Sequence, residues 1–201
     1  MEPYSLRGER CELTPFTPAD TQRVFDYCQD SEIQRWTGVP TPYRMEDAAV
    51  FTTSTAQKGW DPPGFTARRE WAIRVPRQGG GRQLVGAVSL RPDASGGSAA
   101  VRYLLAADSR GRGIATDAVN TAVAHAIRDL GMRRVVWSAV VGNWPSRRLA
   151  VRCGFKVEGA IRSETLIRGQ AFDAWVGTIL AEDLGKDDGY WTEDGRVRIW
   201  D

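Results

Sequence analysis

The sequence predicts a mixed α/β domain of the α+β type, built around a single sheet. Three observations support this fold class. Short runs with alternating apolar residues recur between turn signals, which is typical of strands. A long segment over residues 115–130 carries apolar residues at helical spacing. Strand-like runs come before, between and after two of the predicted helices, an order that favours one sheet flanked by helices.

The first strand is predicted over residues 6–16, where Cys11 and Leu13 share one face. A helix follows it, because Thr17 can cap the helix and Pro18 needs no amide partner in the first turn. Apolar alternation and the 3.6-residue apolar period identify the remaining strands and helices. Helices are expected over residues 17–29, 31–38, 44–58, 115–130 and 145–153, and strands over 71–75, 84–90, 99–105, 135–141, 155–162 and 172–180.

Glycine and proline mark the connections between these elements. The loop over residues 77–82 contains three consecutive glycines and predicts a hairpin. Pro62-Pro63-Gly64 is incompatible with regular structure, so an exposed loop is expected there. The tail after Asp183 is polar but contains Trp191 and Trp200. We therefore expect a domain over residues 1–184 and an extension over 185–201 that packs on it or at a dimer contact.

Composition limits the function classes. The chain has 201 residues, 27 basic and 25 acidic, and a formal net charge of +2, which is too balanced for a typical nucleic-acid binder. No apolar run reaches the roughly 20 residues of a membrane span, and the opening residues lack a signal peptide, so we expect a cytoplasmic protein with no membrane partner. Three dispersed cysteines and one histidine argue against a zinc site, a disulfide framework and a Ser-His-Asp or Cys-His enzyme.

The glycine-rich segment Arg110-Gly111-Arg112-Gly113-Ile114-Ala115 has the clearest chemical meaning. It lies between a predicted strand and the long helix. Gly111 and Gly113 let main-chain amides approach a ligand, and the helix behind them presents its positive end. A diphosphate is the expected ligand.

Two common diphosphate motifs do not match this segment. A dinucleotide-binding fingerprint needs a third glycine where Thr116 stands and an acidic residue ending the next strand, which here ends in Gly142-Asn143. No P-loop motif occurs in the sequence. The remaining alternative to an anion site is a tight turn with surface arginines.

Arg110-x-x-Gly113-x-Ala115 matches the Q/R-x-x-G-x-G/A signature of the GNAT N-acetyltransferase superfamily. Residues 143–148 and 154–162 resemble the N-x-x-S and G-F-x-x-E-G segments of its RimJ/RimL-type branch, which acetylates the N-termini of ribosomal proteins. Residues 101–105 resemble the strand that precedes the phosphate turn in that branch. The resemblance covers about residues 6–183.

This resemblance implies the GNAT fold: a single mixed, mostly antiparallel sheet with a central splayed parallel strand pair, flanked by helices. It implies acetyl-CoA as cofactor, entering between strands 99–105 and 135–141, with its pantetheine arm paired like an added strand. The cofactor-binding residues that it implies are Tyr103, Leu104, Leu105, Arg110, Gly111, Arg112, Gly113, Ile114, Ala115, Thr116, Asn143, Ser146, Arg147 and Arg148.

The resemblance also implies roles for the segment after strand 135–141. Ser146 stands where many family members carry a tyrosine acid, so its hydroxyl is expected to contact the leaving sulfur; it could equally cap the helix. Asn143 is expected to bind the pantetheine arm or orient the next turn. Arg147 and Arg148 are expected at the 3′-phosphate, or exposed without a role.

Two carboxylates are candidates for the general base. Glu164 lies near the position where the branch places a carboxylate, but one residue out of register, and Glu70 opens the strand beside the proline-rich loop. An N-terminal amine has a reference pKa of about 7.7–8.0, so water or a weak base suffices. Each carboxylate could instead be a surface acid.

Four aromatic residues are candidates for the wall of the acceptor pocket, with simple packing as the alternative: Trp36, Tyr43, Trp60 and Trp71. The proline-rich loop is expected to expose Trp60. His125 lies at the flank of the apolar helix stripe and is not expected in catalysis, and Cys153 is expected in the core.

The leading hypothesis is an N-acetyltransferase whose acceptor is a protein or peptide N-terminus. A small amine such as an antibiotic, a polyamine or an amino-acid derivative is the alternative acceptor, although no dense acidic cluster is present to attract a polycationic aminoglycoside. A catalytically silent acyl-CoA-binding module is the third hypothesis. A homodimer is possible in each case.

Overall fold

The computed structural model describes residues 2–60, 68–77, 79–93 and 97–184. Its strands are β1 Leu6–Arg7, β2 Glu12–Pro15, β3 Arg69–Pro76, β4 Arg82–Pro92, β5 Ser98–Leu105, β6 Arg134–Val140, β7 Lys156–Ile167 and β8 Gln170–Leu180. Its α-helices are α1 Thr21–Cys28, α2 Ser31–Trp36, α3 Met45–Val50, α4 Ala56–Lys58, α5 Ile114–Arg128 and α6 Trp144–Arg152. The Pro62–Gly64 loop and the tail with Trp191 and Trp200 lie outside the described residues.

The eight described strands form one sheet in the order β1-β2-β3-β4-β5-β6-β8-β7. Every neighbouring pair is antiparallel except β5 and β6, which run parallel. Helix α5 packs against one set of sheet residues. Helices α1 to α4 pack against another set. A single mixed, mostly antiparallel sheet with one central parallel pair confirms the predicted fold class.

The parallel pair separates soon after it begins. Strands β5 and β6 pair only at Ser98 with Arg134, Ala99 with Val135 and Ala100 with Val136. Beyond these three pairs β5 continues to Leu105 along β4, and β6 continues to Val140 along β8. The sheet is therefore open between β5 and β6, and the facing backbone edges of the two strands are not joined to each other there.

Alternation along the strands separates two hydrophobic cores. On the face covered by α5, Trp71 and Ile73 of β3 are fully buried and pack with the apolar stripe of the helix. Ala72, which lies between them and points the other way, packs in the second core with Phe16 and Tyr27 of the α1 side. The predicted stripe of α5 is confirmed: Ala118, Val119, Ala122, Val123 and Ala126 are buried.

Two predicted elements differ in detail from the observed ones. The expected strand 6–16 is divided into β1 and β2, because a tight turn begins at Gly8, whose amide bonds the Cys11 carbonyl. The expected helix 44–58 contains a π-helical turn over Phe51–Thr55 between α3 and α4. Among the described residues, no helix is long and apolar enough to span a membrane, and no group of metal-ligating side chains is assembled.

Candidate active site

The turn between β5 and α5 lies at the open end of the gap between β5 and β6. Gly111 and Gly113 both adopt left-handed backbone conformations, with φ of +75° and +74°, which residues with a side chain rarely adopt. Gly113 is the N-cap of α5. A Cβ at Gly111 would have no neighbouring atom within 4 Å, so the glycine leaves open space in front of the main chain.

The amides of this turn have no protein acceptor within the ranges that the structure describes. Arg110 N still donates to Ala107 O, and Asp117 N donates to Gly113 O, but no acceptor is present for the amides of residues 111–116. The first amides of an α-helix lack partners in the helix and carry its positive dipole end. This run of donors lies where the sequence predicts an anion site.

Arg110 lies in the turn, but its side chain points away from these amides. Its guanidinium pairs with the carboxylate of Asp30, the N-cap of α2, and its Nε donates to Leu105 O at 3.2 Å. Arg110 thus fastens the turn to α2 and the end of β5, whereas Arg112 is exposed beside it.

Asp117, in the first turn of α5, fastens the β1–β2 turn to the helix. Its carboxylate accepts the amides of Glu9, Arg10 and Cys11 at 2.8–3.0 Å. Burial acts to raise the pKa of Asp117, but these amides outweigh it and lower the pKa below its usual value. A Cβ at Gly8 would lie 2.3 Å from the Asp117 Oδ2, so this contact requires glycine there.

This attachment brings Arg10 to the glycine turn. A Cβ at Gly113 would lie 3.5 Å from the Arg10 Nε, which places the guanidinium beside the N-terminus of α5. Sequence reasoning missed Arg10. Its position depends on a contact with Asp117 across 107 residues of sequence, and only the acidic residue in the first turn of α5 gave a local signal.

Ser146 connects the two separated strands. Its Oγ lies 2.9 Å from the Tyr103 hydroxyl on β5 and accepts a hydrogen bond from the Trp137 Nε1 on β6 at 3.1 Å. Burial raises the pKa of Tyr103 well above its usual value, so the phenol stays protonated at neutral pH. Trp137 was not among the predicted site residues. The sequence shows it as a core aromatic, and 1% exposure confirms that most of the ring is buried.

The alternative prediction that Ser146 caps α6 is wrong. Asn143 is the N-cap, because its Oδ1 accepts the Ser146 amide at 3.2 Å, and the helix begins at Trp144. Pro145 occupies the first turn, where its missing amide proton costs nothing. The side chain of Asn143 thus orients the turn, and the Ser146 hydroxyl is left for the contacts with Tyr103 and Trp137.

The two arginines that follow differ in environment. Arg147 stacks on Trp144 and Trp175, with its Cζ 5.6 Å and 5.4 Å from the ring centroids, and its Nε is buried without a partner in the described structure. Arg148 is exposed. Cation–π stacking holds the Arg147 guanidinium in place next to the first turn of α6.

The two candidate bases lie on different strands. Glu70, on β3, is buried and its carboxylate pairs with Arg68, while burial raises its pKa against the effect of that pair. Glu164 is exposed on β7, in a bulge where Ser163 has φ of +55° and its amide donates to the Asp173 carboxylate. In this bulge residues 162–164 of β7 lie opposite Asp173 alone.

Three of the four predicted pocket aromatics lie in the cores instead. Trp60 is 2% exposed, Trp71 is fully buried and Tyr43 is 7% exposed, so the expectation that Trp60 is exposed is wrong. Trp60 and Trp71 pack edge to face with each other and with Tyr4, which gives both indoles an apolar environment.

Trp36 does lie at the gap. A Cβ at Gly142, just after β6, would be 3.6 Å from the Trp36 ring. The β7–β8 turn reaches the same region, because the Arg168 Nη1 donates to the carbonyls of Thr37 and Val39 at 3.2 Å and 3.0 Å. Trp36 and Arg168 thus border the opening beside the end of β6.

His125 is buried in a structural network. Its Nδ1 lies 2.7 Å from the Asp129 carboxylate and its Nε2 lies 2.6 Å from the Tyr4 hydroxyl. These contacts join α5 to the segment before β1. All three cysteines are buried, and burial raises the pKa of Cys153 to about 12, so this thiol is protonated at neutral pH, in agreement with its expected core position.

The open parallel strand pair and the glycine turn both lie within a segment that matches a known family. The Acetyltransferase (GNAT) domain model matches residues 10–156. The chain belongs to the GNAT acetyltransferase family. The match includes the glycine turn, the gap between β5 and β6, and Ser146.

Curated relatives and solved structures agree with this family. "Putative ribosomal N-acetyltransferase YdaF" of Bacillus subtilis (strain 168) is 34% identical over 101 residues, which is 50% of this chain and 55% of that protein. The match thus spans about half the length of YdaF. Mycobacterium smegmatis RimJ in complex with CoA-disulfide has a TM-score of 0.76 at 21% identity and covers 92% of this chain and 93% of its own. The microcin C7 self-immunity acetyltransferase MccE, solved with acetyl-CoA and AMP, has a TM-score of 0.73 at 20% identity, covering 86% and 93%.

Acetyl-CoA is the acetyl donor in this GNAT family, and the site fits it. The amides of residues 111–116 suit its diphosphate, and the free edge of β5 suits an extended chain with amide groups. The GNAT domain is therefore an acyltransferase that uses acetyl-CoA.

Proposed function

We propose that this protein transfers the acetyl group of acetyl-CoA directly to the N-terminal α-amine of a protein or peptide. The observation that carries the proposal is the separation of β5 from β6 after Ala100 and Val136, next to a turn whose amides have no acceptor among the described residues. In this geometry the turn can bind a diphosphate, and the cleft between the separated strands can hold the thioester.

The residues that would hold acetyl-CoA follow from this geometry. The amides of residues 111–116 would bind the diphosphate, with Arg112 and Arg10 adding positive charge. The β5 residues Tyr103, Leu104 and Leu105 would offer the strand edge to the pantetheine arm. Arg147 and Arg148, in the first turns of α6, are the proposed partners of the 3′-phosphate. When bound, acetyl-CoA supplies the activated acetyl thioester.

Ser146 is the proposed donor to the leaving sulfur. A serine hydroxyl has two acceptor positions and one hydrogen. Trp137 donates to the Oγ, and the Tyr103 hydroxyl lies 2.9 Å from the Oγ and 3.2 Å from the Ser146 carbonyl. When Tyr103 donates to the Oγ, the hydrogen of Ser146 is free for the sulfur. The amine loses a proton as its bond to the acetyl carbon forms, and the thiolate takes up a proton as the carbon–sulfur bond breaks.

An α-amine needs only a weak base, because an α-amino group has a reference pKa of about 7.7–8.0 and therefore has a substantial neutral fraction near pH 8. Glu164 is the proposed proton acceptor, directly or through water. It is exposed on the bulge beside Asp173, whose carbonyl accepts the Val141 amide at the end of β6. Glu70 is less suited, since Arg68 already pairs with its carboxylate.

The relatives support a protein acceptor. YdaF is named for a ribosomal N-acetyltransferase function, and RimJ is a structural neighbour. A small amine is the second candidate, favoured by the likeness to MccE, whose name assigns it to self-immunity against microcin C7. A cytoplasmic location, a domain over residues 1–184 with an extension over 185–201, and a homodimer remain parts of the proposal.

Acetyl transfer to a panel of acceptors tests the proposal. The panel contains short peptides with a free N-terminus, the same peptides with a blocked N-terminus and an internal lysine, and small amines. We expect thiol release and a mass gain of one acetyl group on the free N-terminus only. Transfer to small amines alone would favour the second candidate. Thermal stabilisation by acetyl-CoA without any transfer would indicate a silent binding module, because a ligand stabilises the fold that binds it.

A further inference from the structure

Four charged side chains meet on the sheet face opposite α5: Arg68, Glu70, Arg91 and Arg102. We call them the arginine cluster. Glu70 on β3 is paired with Ser89 on β4, and Ser89 is paired with Arg102 on β5, so these three residues form one row across the strands. Arg91 lies two positions along β4 from Ser89 and therefore on the same face.

The arginine cluster has more positive than negative charge. The Glu70 carboxyl pairs with Arg68 and is also attracted by Arg91 and Arg102. Burial and the charges of Arg68 and Arg102 lower the pKa of Arg91, which shows that the guanidiniums repel one another. Among the residues that the structure describes, one carboxylate thus faces three guanidiniums, and a second anion would relieve their repulsion.

Two donors in the arginine cluster are unused. The Nε atoms of Arg68 and Arg91 are buried and have no hydrogen-bond partner in the described part of the chain. A buried donor without an acceptor is unfavourable, and native structures usually provide one. Guanidinium groups match carboxylates with two parallel hydrogen bonds, so a carboxylate bound at the exposed Arg102 suits the excess positive charge of the arginine cluster.

The position of the arginine cluster relates it to the acceptor. Arg102 lies two residues beyond Ala100, the last β5 residue paired with β6. The next residue, Tyr103, points to the opposite face, where its hydroxyl meets Ser146. The arginine cluster therefore lies beside the point where the strands separate, on the face away from Ser146, and Arg102 is exposed there.

We infer that the arginine cluster binds a carboxylate of the acceptor, so that the preferred acceptor carries an acidic group close to the amine that is acetylated. This inference rests on the proposed N-acetyltransferase function and narrows its substrate class. The carboxylate can come from an aspartate or glutamate side chain near a protein N-terminus, or from the α-carboxylate of a small amino-acid derivative. Both present the same group to Arg102.

The test compares matched acceptors with the full-length enzyme. Amidated peptides that begin Ser-Asp are compared with peptides that begin Ser-Asn, and serine is compared with serinamide. Each pair differs by one negative charge at nearly constant shape. The variants are Arg102→Gln and Arg102→Glu. The control is Arg77→Gln, an exposed arginine just after the other end of β3.

We expect kcat/KM for the acidic member of one pair to exceed that for its neutral partner by about ten-fold or more, since charge-assisted pairs are strong. Arg102→Gln should remove most of this ratio, Arg102→Glu should reverse it, and Arg77→Gln should preserve it. The responding pair identifies the source of the carboxylate. If acceptors are acetylated with equal kcat/KM within both pairs, or the ratio survives in Arg102→Glu, the inference is wrong while the proposed function stands. If no amine is acetylated, the proposed function itself fails.

Discussion

The Tyr103 hydroxyl lies 2.9 Å from the Ser146 Oγ and so spans the opening between β5 and the first turn of α6. Trp137, on β6, donates to the same oxygen. The sheet separates at this place, yet two side chains, one from each of the separated strands, converge on the Ser146 hydroxyl. This convergence positions Ser146 more firmly than a helix terminus alone does.

Replacing Ser146 should impair the reaction more than cofactor binding. Ser146→Ala removes the proposed donor to the sulfur, and we expect kcat to fall by about ten-fold or more with little change in the Kd of acetyl-CoA. Tyr103→Phe should lower kcat less, because Ser146 remains. Steady-state kinetics and calorimetric binding separate the two effects. Ser5→Ala, at an exposed serine, is the control; an unchanged kcat in Ser146→Ala removes Ser146 from the mechanism.

A methyl group on Gly111 should weaken acetyl-CoA binding. Gly111 and Gly79 share a left-handed backbone conformation with open space around the Cβ position, so Gly111→Ala and Gly79→Ala impose similar backbone strain, of about 1 kcal/mol. Only Gly111 lies where the diphosphate would bind. We expect both variants to lose similar stability in urea, and only Gly111→Ala to lose affinity in titration calorimetry. Equal affinities in the two variants would contradict the proposed diphosphate site.

Arg10 should contribute to binding of the coenzyme phosphates. Arg10→Ala removes a guanidinium beside Gly113, and we expect acetyl-CoA affinity to fall by about five-fold to ten-fold, less at high salt. Arg7→Ala, at an exposed arginine in the same hairpin, is the matched control. Titration with 3′-dephospho-CoA shows which phosphate is involved: an equal loss with this ligand assigns Arg10 to the diphosphate. Identical affinities for Arg10→Ala and Arg7→Ala would exclude the contact.

The stabilisation from the hydrogen bonds between the Asp117 carboxylate and the β1–β2 turn should depend on pH. The folded-state pKa of Asp117 is lowered, so its stabilising effect is complete above the ordinary carboxyl pKa of about 3.9 and is lost as the pH falls through the lowered value. Asp117→Asn should therefore cost about 1–2 kcal/mol in free energy of unfolding at pH 7, after allowance for solvent screening. Urea unfolding between pH 7 and pH 3 should show this difference shrinking at the acid end.

Glu46→Gln provides the control for that experiment. Glu46 is exposed in the first turn of α3, so it has a similar relation to a helix dipole without the tie to another segment. A loss of stability in Glu46→Gln as large as that in Asp117→Asn would mean that the helix dipole, and not the three amides, accounts for the effect.

Local patterns predict the scaffold of this site well. The apolar period of α5 and the conformational freedom of Gly111 and Gly113 are properties of neighbouring residues, so they are visible in the sequence. The observed sheet confirms the separated strand pair that the family resemblance implies. Each of these features involves few residues close together in the chain, or a motif known from many proteins.

Long-range contacts account for what the sequence did not predict. Tyr103 and Ser146 are 43 positions apart, and Arg10 reaches Gly113 through a contact with Asp117. The error at Trp60 has the same origin. A proline-rich segment indicates a loop but does not show which way the preceding side chain points, and here it packs against Tyr4 and Trp71. Where a side chain packs depends on the whole fold, and the apolar periodicity of the sequence does not encode that fold.

The amide chemical shifts of the glycine turn report on whether it binds the coenzyme diphosphate. In a ¹H–¹⁵N spectrum, saturating acetyl-CoA should shift the amides of Gly111, Gly113 and Ile114 strongly, together with those of β5, and leave Gly79 and its hairpin unchanged. Gly111→Ala should reduce these shifts at the same ligand concentration. Unchanged amides across residues 111–116 at saturation would show that the turn does not hold the diphosphate and would contradict the account.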